Sequence, residues 1–329
     1  LLPKLISLER AWVKVALNHK DTLQIGRTHG QHAVPITFGF AMAGYVDRLG
    51  NRIKEIERAC ENLSGKFSGA VGAFNATSLV VKSPQKLESD VMKFLRLKVA
   101  RHSTQIAPPE PMQDLVNAVV GAFGVLANFA DDMRHLQRTE IAEIAEEFSK
   151  QQVGSSTMPH KRNPISFENV KSMFKAFVPR IVTVYLDSVS EHQRDLTNSA
   201  SQRFLPELFA AIVYCTDKMN DSTKNLFVDS KAMKRNFGFS ALSIVAEPLY
   251  ILLAIHGHKD AHEAVRELTL KSQKSGRPVF DIAMDDKKLK LYLMQFSKKE
   301  TDFIKNPQNY VGLSAKKTVE VCKYWKSVL

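Results

Sequence analysis

The chain has 329 residues, with the 44% hydrophobic and 24% charged composition of an ordinary globular protein, enough for one large domain or a few smaller ones. Lys and Arg outnumber Asp and Glu by 46 to 34, a net +12 that suits a small anionic substrate. No zinc-finger spacing, RNA-binding aromatic motif or membrane-length apolar run accompanies that charge, so neither nucleic acid nor a membrane is an expected partner. Cys60, Cys215 and Cys322 are scattered, with no CxxC pair, and read as buried thiols of a cytoplasmic protein. The chain opens on Leu1-Leu2-Pro3 without a methionine, and a further segment is expected before it.

In chain order, the first polar stretch is Gly26-Arg27-Thr28-His29-Gly30-Gln31-His32-Ala33-Val34-Pro35-Ile36-Thr37, read as a loop between two helices. A lone loop histidine is most often a plain turn residue. Two of them among Arg, Thr and Gln point more evenly towards proton transfer. Phe38, Met42, Tyr45, Leu49, Ile53, Ile56 and Cys60 follow in steps of four and three, the stripe of a long helix facing a partner. Gly65, Gly69 and Gly72 mark a linker, and Leu79-Val80-Val81 has a strand-like composition. Leu115, Val119, Ala122, Leu126, Phe129, Met133 and Leu136 predict a second long helix.

Gly154-Ser155-Ser156-Thr157-Met158-Pro159-His160-Lys161-Arg162-Asn163-Pro164 interrupts the pattern. Its Gly and Pro residues favour a mobile loop, and its polar set suits a carboxylate, although a solvated basic loop would look similar. Glu168 falls on the expected first turn of the next helix. Val170, Phe174, Phe177 and Ile181, then Leu208–Met219, predict two more long helices. Between them, Glu191–Arg203 carries Arg194, Ser199 and Arg203, a set that suits a phosphate; an Arg–Asp-paired helix is the plainer reading. From His256 the segments shorten and become charged, with Lys287, Lys288, Lys290, Lys298 and Lys299 read as a solvated face. The expectation is an all-α protein: a central long-helix bundle over residues 1–255 and a small C-terminal helical domain over 256–329.

Gly154–Pro164 resembles the signature loop of the fumarase/aspartase superfamily, in the His-Lys-Arg-Asn form of adenylosuccinate lyases and carboxymuconate cycloisomerases. Arg27-Thr28-His29-Gly30-Gln31 is similar to the adenylosuccinate lyase histidine motif. Arg194-Asp195-Leu196-Thr197-Asn198-Ser199 with Arg203-Phe204-Leu205-Pro206 is similar to that family's nucleotide-binding stretch. This last match separates the lyases from their cousins. Gly69-Ala70-Val71-Gly72 and Asn309-Tyr310-Val311-Gly312-Leu313 extend the resemblance over nearly the whole chain.

The resemblance implies β-elimination of fumarate from succinylated purine nucleotides. His29 would be the general acid, Ser155 the general base (with Ser156 as the fallback), and Glu168 the carboxylate that orients His29. Thr28, Gln105, Lys161 and Asn163 would hold the substrate, and Arg194, Ser199 and Arg203 its phosphate. It implies no metal or cofactor, and a homotetramer whose active sites are shared between subunits. The family's N-terminal domain, which supplies another histidine, has no counterpart in these residues. Ile106-Ala107-Pro108-Pro109 after Gln105, and Phe239–Ser243, also depart from the family's pattern. The rival readings are a cycloisomerase-like enzyme, which has no use for Arg194 and Arg203, a non-catalytic relative, and a nucleic-acid binder resting on charge alone.

Overall fold

In a computed structural model, residues 1–146 and 161–329 are described. Six helices build the bundle: α1 (Leu2–Asn18), α2 (Phe38–Asn62), α3 (Glu110–Leu136), α4 (Ile165–Phe177), α5 (Leu205–Lys224) and α6 (Ser314–Val328). The predicted stripes lie inside: Phe38, Met42, Tyr45, Leu49, Ile53 and Ile56 are buried, as are Leu115, Val119, Ala122, Leu126, Phe129 and Met133. Cys60, expected to be buried, is exposed, because the stripe has rotated off the core by the last turn of α2.

The helix α3 is long and apolar enough by composition to cross a membrane. Here it is the central core helix, packed on α2, α4 and α5. Its Phe129 ring centroid lies 4.4 Å from Trp12 of α1, 5.2 Å from Tyr45 of α2 and 6.2 Å from Phe167 of α4. Four helices thus meet at one ring, with the tilted and edge-on geometries that aromatic quadrupoles favour. Trp12 adds a buried hydrogen bond from Nε1 to Thr223 Oγ1 of α5, 3.1 Å.

The last helix, expected in the C-terminal domain, packs on α1 and α2 of the bundle. Trp325 donates from Nε1 to Asp47 Oδ1 at 2.9 Å, and its ring seats where a Cβ on Gly50 would come within 2.4 Å. Only glycine leaves α2 room for that ring. A second core, from Val245 to Ile304, is built by short helices such as Ala246–Ile255, Ala261–Ser275 and Lys298–Lys305. The small helical unit therefore starts about ten residues before residue 256 and ends before α6. Its lysines 287, 288, 290, 298 and 299 are exposed, as a solvated face requires.

Strands are few and short, but they matter. Leu23–Thr28 (β1) and Gln31–Thr37 (β2) form an antiparallel hairpin where a loop was expected. Ile144–Glu146 (β3) pairs antiparallel with Leu226–Val228 (β4). Leu79-Val80, read as strand-like, lies instead in the exposed helical turn Thr77–Val80.

Glu9 on α1 is 1% exposed, and neither carboxylate oxygen has a hydrogen-bond partner among the described residues. Burial, with Asp47 nearby, pushes its pKa up to about 9. The folded state thus binds a proton that the unfolded chain loses near an ordinary carboxyl pKa. Its contribution to stability is complete at low pH and is lost as pH climbs towards 9. Melting temperatures at about pH 5 and about pH 9 should therefore differ more in the wild type than in Glu9→Gln. Equal pH dependence in both would show that Glu9 does not titrate in this range.

Candidate active site

The histidine hairpin turns on two residues, since Thr28 pairs with Gln31. Both turn residues have positive φ, 54° at His29 and 72° at Gly30, as a type I′ turn demands. A left-handed histidine is uncommon and strained, a feature concentrated at functional positions. The turn lifts Thr28 and His29 into solvent, and the His29 imidazole has no hydrogen-bond partner among the described residues.

The base of the hairpin is held firmly. Ile25 packs with Phe237 and Ile244 in a small apolar cluster. Below the turn, Arg27 pairs with the fully buried Glu143, Nη2 to Oε1 at 2.5 Å. His32 contacts Ser240 Oγ through Nδ1 at 2.6 Å. Burial, then the Arg27 charge, lowers the His32 pKa, while Glu143 opposes them. At neutral pH the ring is uncharged and suited to a structural hydrogen bond.

Ser155 and Ser156 lie outside the described residues, but the two ends of their stretch are on view. Gln137, just past α3, accepts from the Glu146 backbone N–H (3.1 Å) and donates to the Arg162 carbonyl (3.2 Å). Glu146 in turn accepts from the N–H groups of Ser166 (3.4 Å) and Phe167 (3.1 Å) at the start of α4. Its carboxyl caps that helix N-terminus, with the sign the helix dipole favours. Burial raises its pKa and the two N–H donors oppose the rise. Glu146, Arg162 and the start of α4 are thus clamped together. Lys161 is exposed, Asn163 is half-buried, and Glu168 is exposed on the first turn of α4.

The stretch after Asp187 is turns and a short 3-10 helix (Ser201–Phe204) rather than the Arg–Asp-paired helix of the plainer reading. Asp195 folds it by accepting from the N–H groups of Thr197 (2.9 Å) and Glu191 (3.2 Å), and from the Thr197 hydroxyl. These donors hold its pKa down, the Thr197 hydroxyl contributing most. Asp187 secures the far end through the Ser201 hydroxyl at 2.7 Å. Arg194 donates from Nε to the Asp195 carbonyl, 3.3 Å, and its charge helps to hold the Asp195 pKa down, but among the described residues neither Arg194 nor Arg203 makes an ion pair with a carboxylate. Ser199 and Arg203 are exposed.

Gln105 is exposed in an irregular stretch tied down by Lys66, whose Nζ donates to the Thr104 carbonyl at 2.6 Å. Residues 102–104 and 106–109 line one 210 Å³ cleft together with Asp187, Glu191, His192 and Gln193. The structure therefore brings the Gln105 and Arg194 stretches together. Among the described residues no hydrogen bond or ion pair joins His29 to Glu168; the hairpin packs against Ser230–Gly238 and α2, and α4 packs against α3 and α5. Sequence reasoning missed Glu143, Glu146, Gln137 and Asn236, none of which stands in a motif it singled out.

The profile of the lyase family matches residues 1–177, and that of the adenylosuccinate lyase C-terminal region matches residues 190–300. An adenylosuccinate lyase of Pyrococcus abyssi is 36% identical over 315 residues, covering 94% of this chain and 68% of that protein. Among solved structures, a 3-carboxy-cis,cis-muconate lactonizing enzyme from Pseudomonas putida superposes with a TM-score of 0.85 at 22% identity, over 99% of this chain and 71% of that one. A fumarate lyase from Mesorhizobium gives 0.82 at 22% identity, over 98% and 72%. At that identity the structures establish the shared fold alone. The sequence matches go further, and on them the chain belongs to the adenylosuccinate lyase family.

Proposed function

We propose that this chain catalyses β-elimination of fumarate from adenylosuccinate, giving AMP, and from SAICAR, giving AICAR. Ser155 takes the proton from the succinyl β-carbon, the C–N bond breaks, and His29 protonates the departing nitrogen. Lys161 and Asn163 hold the succinyl carboxylates and stabilise the carbanion-like intermediate. Thr28 and Gln105 contact the substrate. A serine hydroxyl is a weak base, so Ser155 acts only where cations and N–H donors surround the alkoxide, and Lys161 is a cation of the same motif.

One observation carries the choice of a nucleotide over a plain carboxylate substrate. Two arginines sit on a folded stretch of turns and one short 3-10 helix, and among the described residues neither makes an ion pair with a carboxylate, which leaves them available for a phosphate. Arg194→Ala and Arg203→Ala should each raise KM for adenylosuccinate by roughly 10- to 100-fold with a smaller change in kcat, the loss of one charge-assisted contact. Wild-type KM values in both would sink the phosphate assignment and favour a cycloisomerase-like substrate.

The reading includes a homotetramer with shared active sites. Supporting it, His29 and Glu168 are both exposed, on elements packed against different parts of the bundle. Val182, Tyr185, Leu186 and Val189 present a contiguous run of exposed apolar side chains of the kind an oligomer covers.

A further inference from the structure

The Glu143 carboxylate has no place in the mechanism above, yet it is 0% exposed and fully engaged. Oε1 accepts from Arg27 Nη2 at 2.5 Å and Asn236 Nδ2 at 2.9 Å; Oε2 accepts from Gln24 Nε2 at 2.8 Å and Arg27 Nη1 at 3.1 Å. Two of the three partners, Gln24 and Arg27, lie on β1, the strand that runs into His29. The third, Asn236, lies on the Ser230–Gly238 helix against which β1 packs. The Glu143 carbonyl accepts from Asp229 N–H at 2.9 Å, at the cap of that same helix. Glu143 also immediately precedes β3, the strand that leads to the stretch bearing Ser155. Its neighbour Ala142 is held at φ 49°, an unfavourable conformation for a residue with a Cβ.

We infer that Glu143 is a positioning residue for the elimination, fixing the histidine hairpin against the strand that leads into the Ser155 stretch. This rests on the proposed role of His29 as the general acid. A hairpin tip carries its side chain at the end of a lever, so a small rotation at β1 displaces the imidazole from the departing nitrogen. Placement errors of about an ångström are enough to slow a proton transfer by orders of magnitude. A buried carboxylate with all four lone-pair sites taken is well suited to prevent that rotation, because each alternative geometry strands a buried donor.

The test is a double-mutant cycle on the intact protein. Glu143→Gln keeps the shape: Gln24 Oε1 is buried without a partner, so a flipped Gln24 amide can accept from the new NH2 group, while Arg27 keeps its bond to Oε1 and loses the one from Nη1. The variant should fold and bind AMP as the wild type does, with kcat lower by about tenfold or more. In a His29→Ala background the same change should alter kcat within about twofold, because a residue acting through His29 has nothing left to position. Full kcat in Glu143→Gln, or losses that multiply in the double mutant, would overturn the inference. Wild-type kcat in His29→Ala alone would instead refute the general-acid assignment. If Glu143→Gln does not fold, Asn236→Ala serves in the same cycle, since it removes one of the four hydrogen bonds and no charge.

Discussion

Ser155→Ala should fold and bind product normally while its kcat falls by about 10²–10⁴, the usual loss on removing a positioned acid or base. Everything that fixes the ends of the Ser155 stretch lies elsewhere. Gln137 ties Glu146 to Arg162, and the Glu146 carboxyl caps α4. A hydroxyl removed between these anchors leaves them intact, so melting temperature should stay at the wild-type value. Arg194, Ser199 and Arg203 remain to hold the phosphate, so the AMP dissociation constant should not move either. Loss of kcat without loss of affinity marks an interaction made only in the transition state. The absorbance change on conversion of adenylosuccinate reads the rate, and calorimetry with AMP reads the affinity. Undiminished turnover in Ser155→Ala, with loss in Ser156→Ala, would move the base by one residue.

The helices were legible because burial imposes a period. Six apolar positions from Phe38 to Ile56 and six from Leu115 to Met133 are buried in the structure, and nothing but a helix facing other helices requires that spacing. The hairpin was not legible. Its strands carry Gly26 and Pro35, which read as loop signals, and its two-residue turn uses histidine in the position where asparagine or aspartate would advertise a type I′ turn. Nor did sequence assign α6 to the bundle, since only the tertiary contact of Trp325 with Gly50 and Asp47 decides it.

At the site, the motifs named the residues that would meet substrate, and their polarity made them visible among apolar stripes. The groups that hold them in place were invisible for the opposite reason. Glu143 and Glu146 sit in Glu140-Ile141-Ala142-Glu143-Ile144-Ala145-Glu146, where three acids at intervals of three look like a solvated face. Two of them are buried, because Arg27, Gln24 and Asn236 converge on one, and the N–H groups of α4 on the other, from distant parts of the chain. Partners 93 and 119 residues away from Glu143, and 20 and 21 away from Glu146, leave no local signature.

His29→Ala and Ser155→Ala proteins, each inactive alone, should regain activity when mixed under conditions that let subunits exchange. The geometry motivates this. His29 stands at a hairpin tip with no partner among the described residues, and Glu168, proposed to orient it, is on a helix packed elsewhere in the bundle. Groups that make no bond to one another within one chain can meet across a symmetric interface. If one site takes its histidine from one subunit and its serine from another, random equal mixing pairs a good histidine with a good serine in about a quarter of sites. Activity should therefore recover to roughly that fraction of the wild-type value, and it should depend on exchange having occurred. If instead both residues of a site came from one chain, every site would lack one of them whatever the mixture. Activity that stays at the mutant background after mass-tagged subunits have demonstrably exchanged would sink the shared-site assembly, while leaving the single-mutant losses, and so the catalytic assignments, intact.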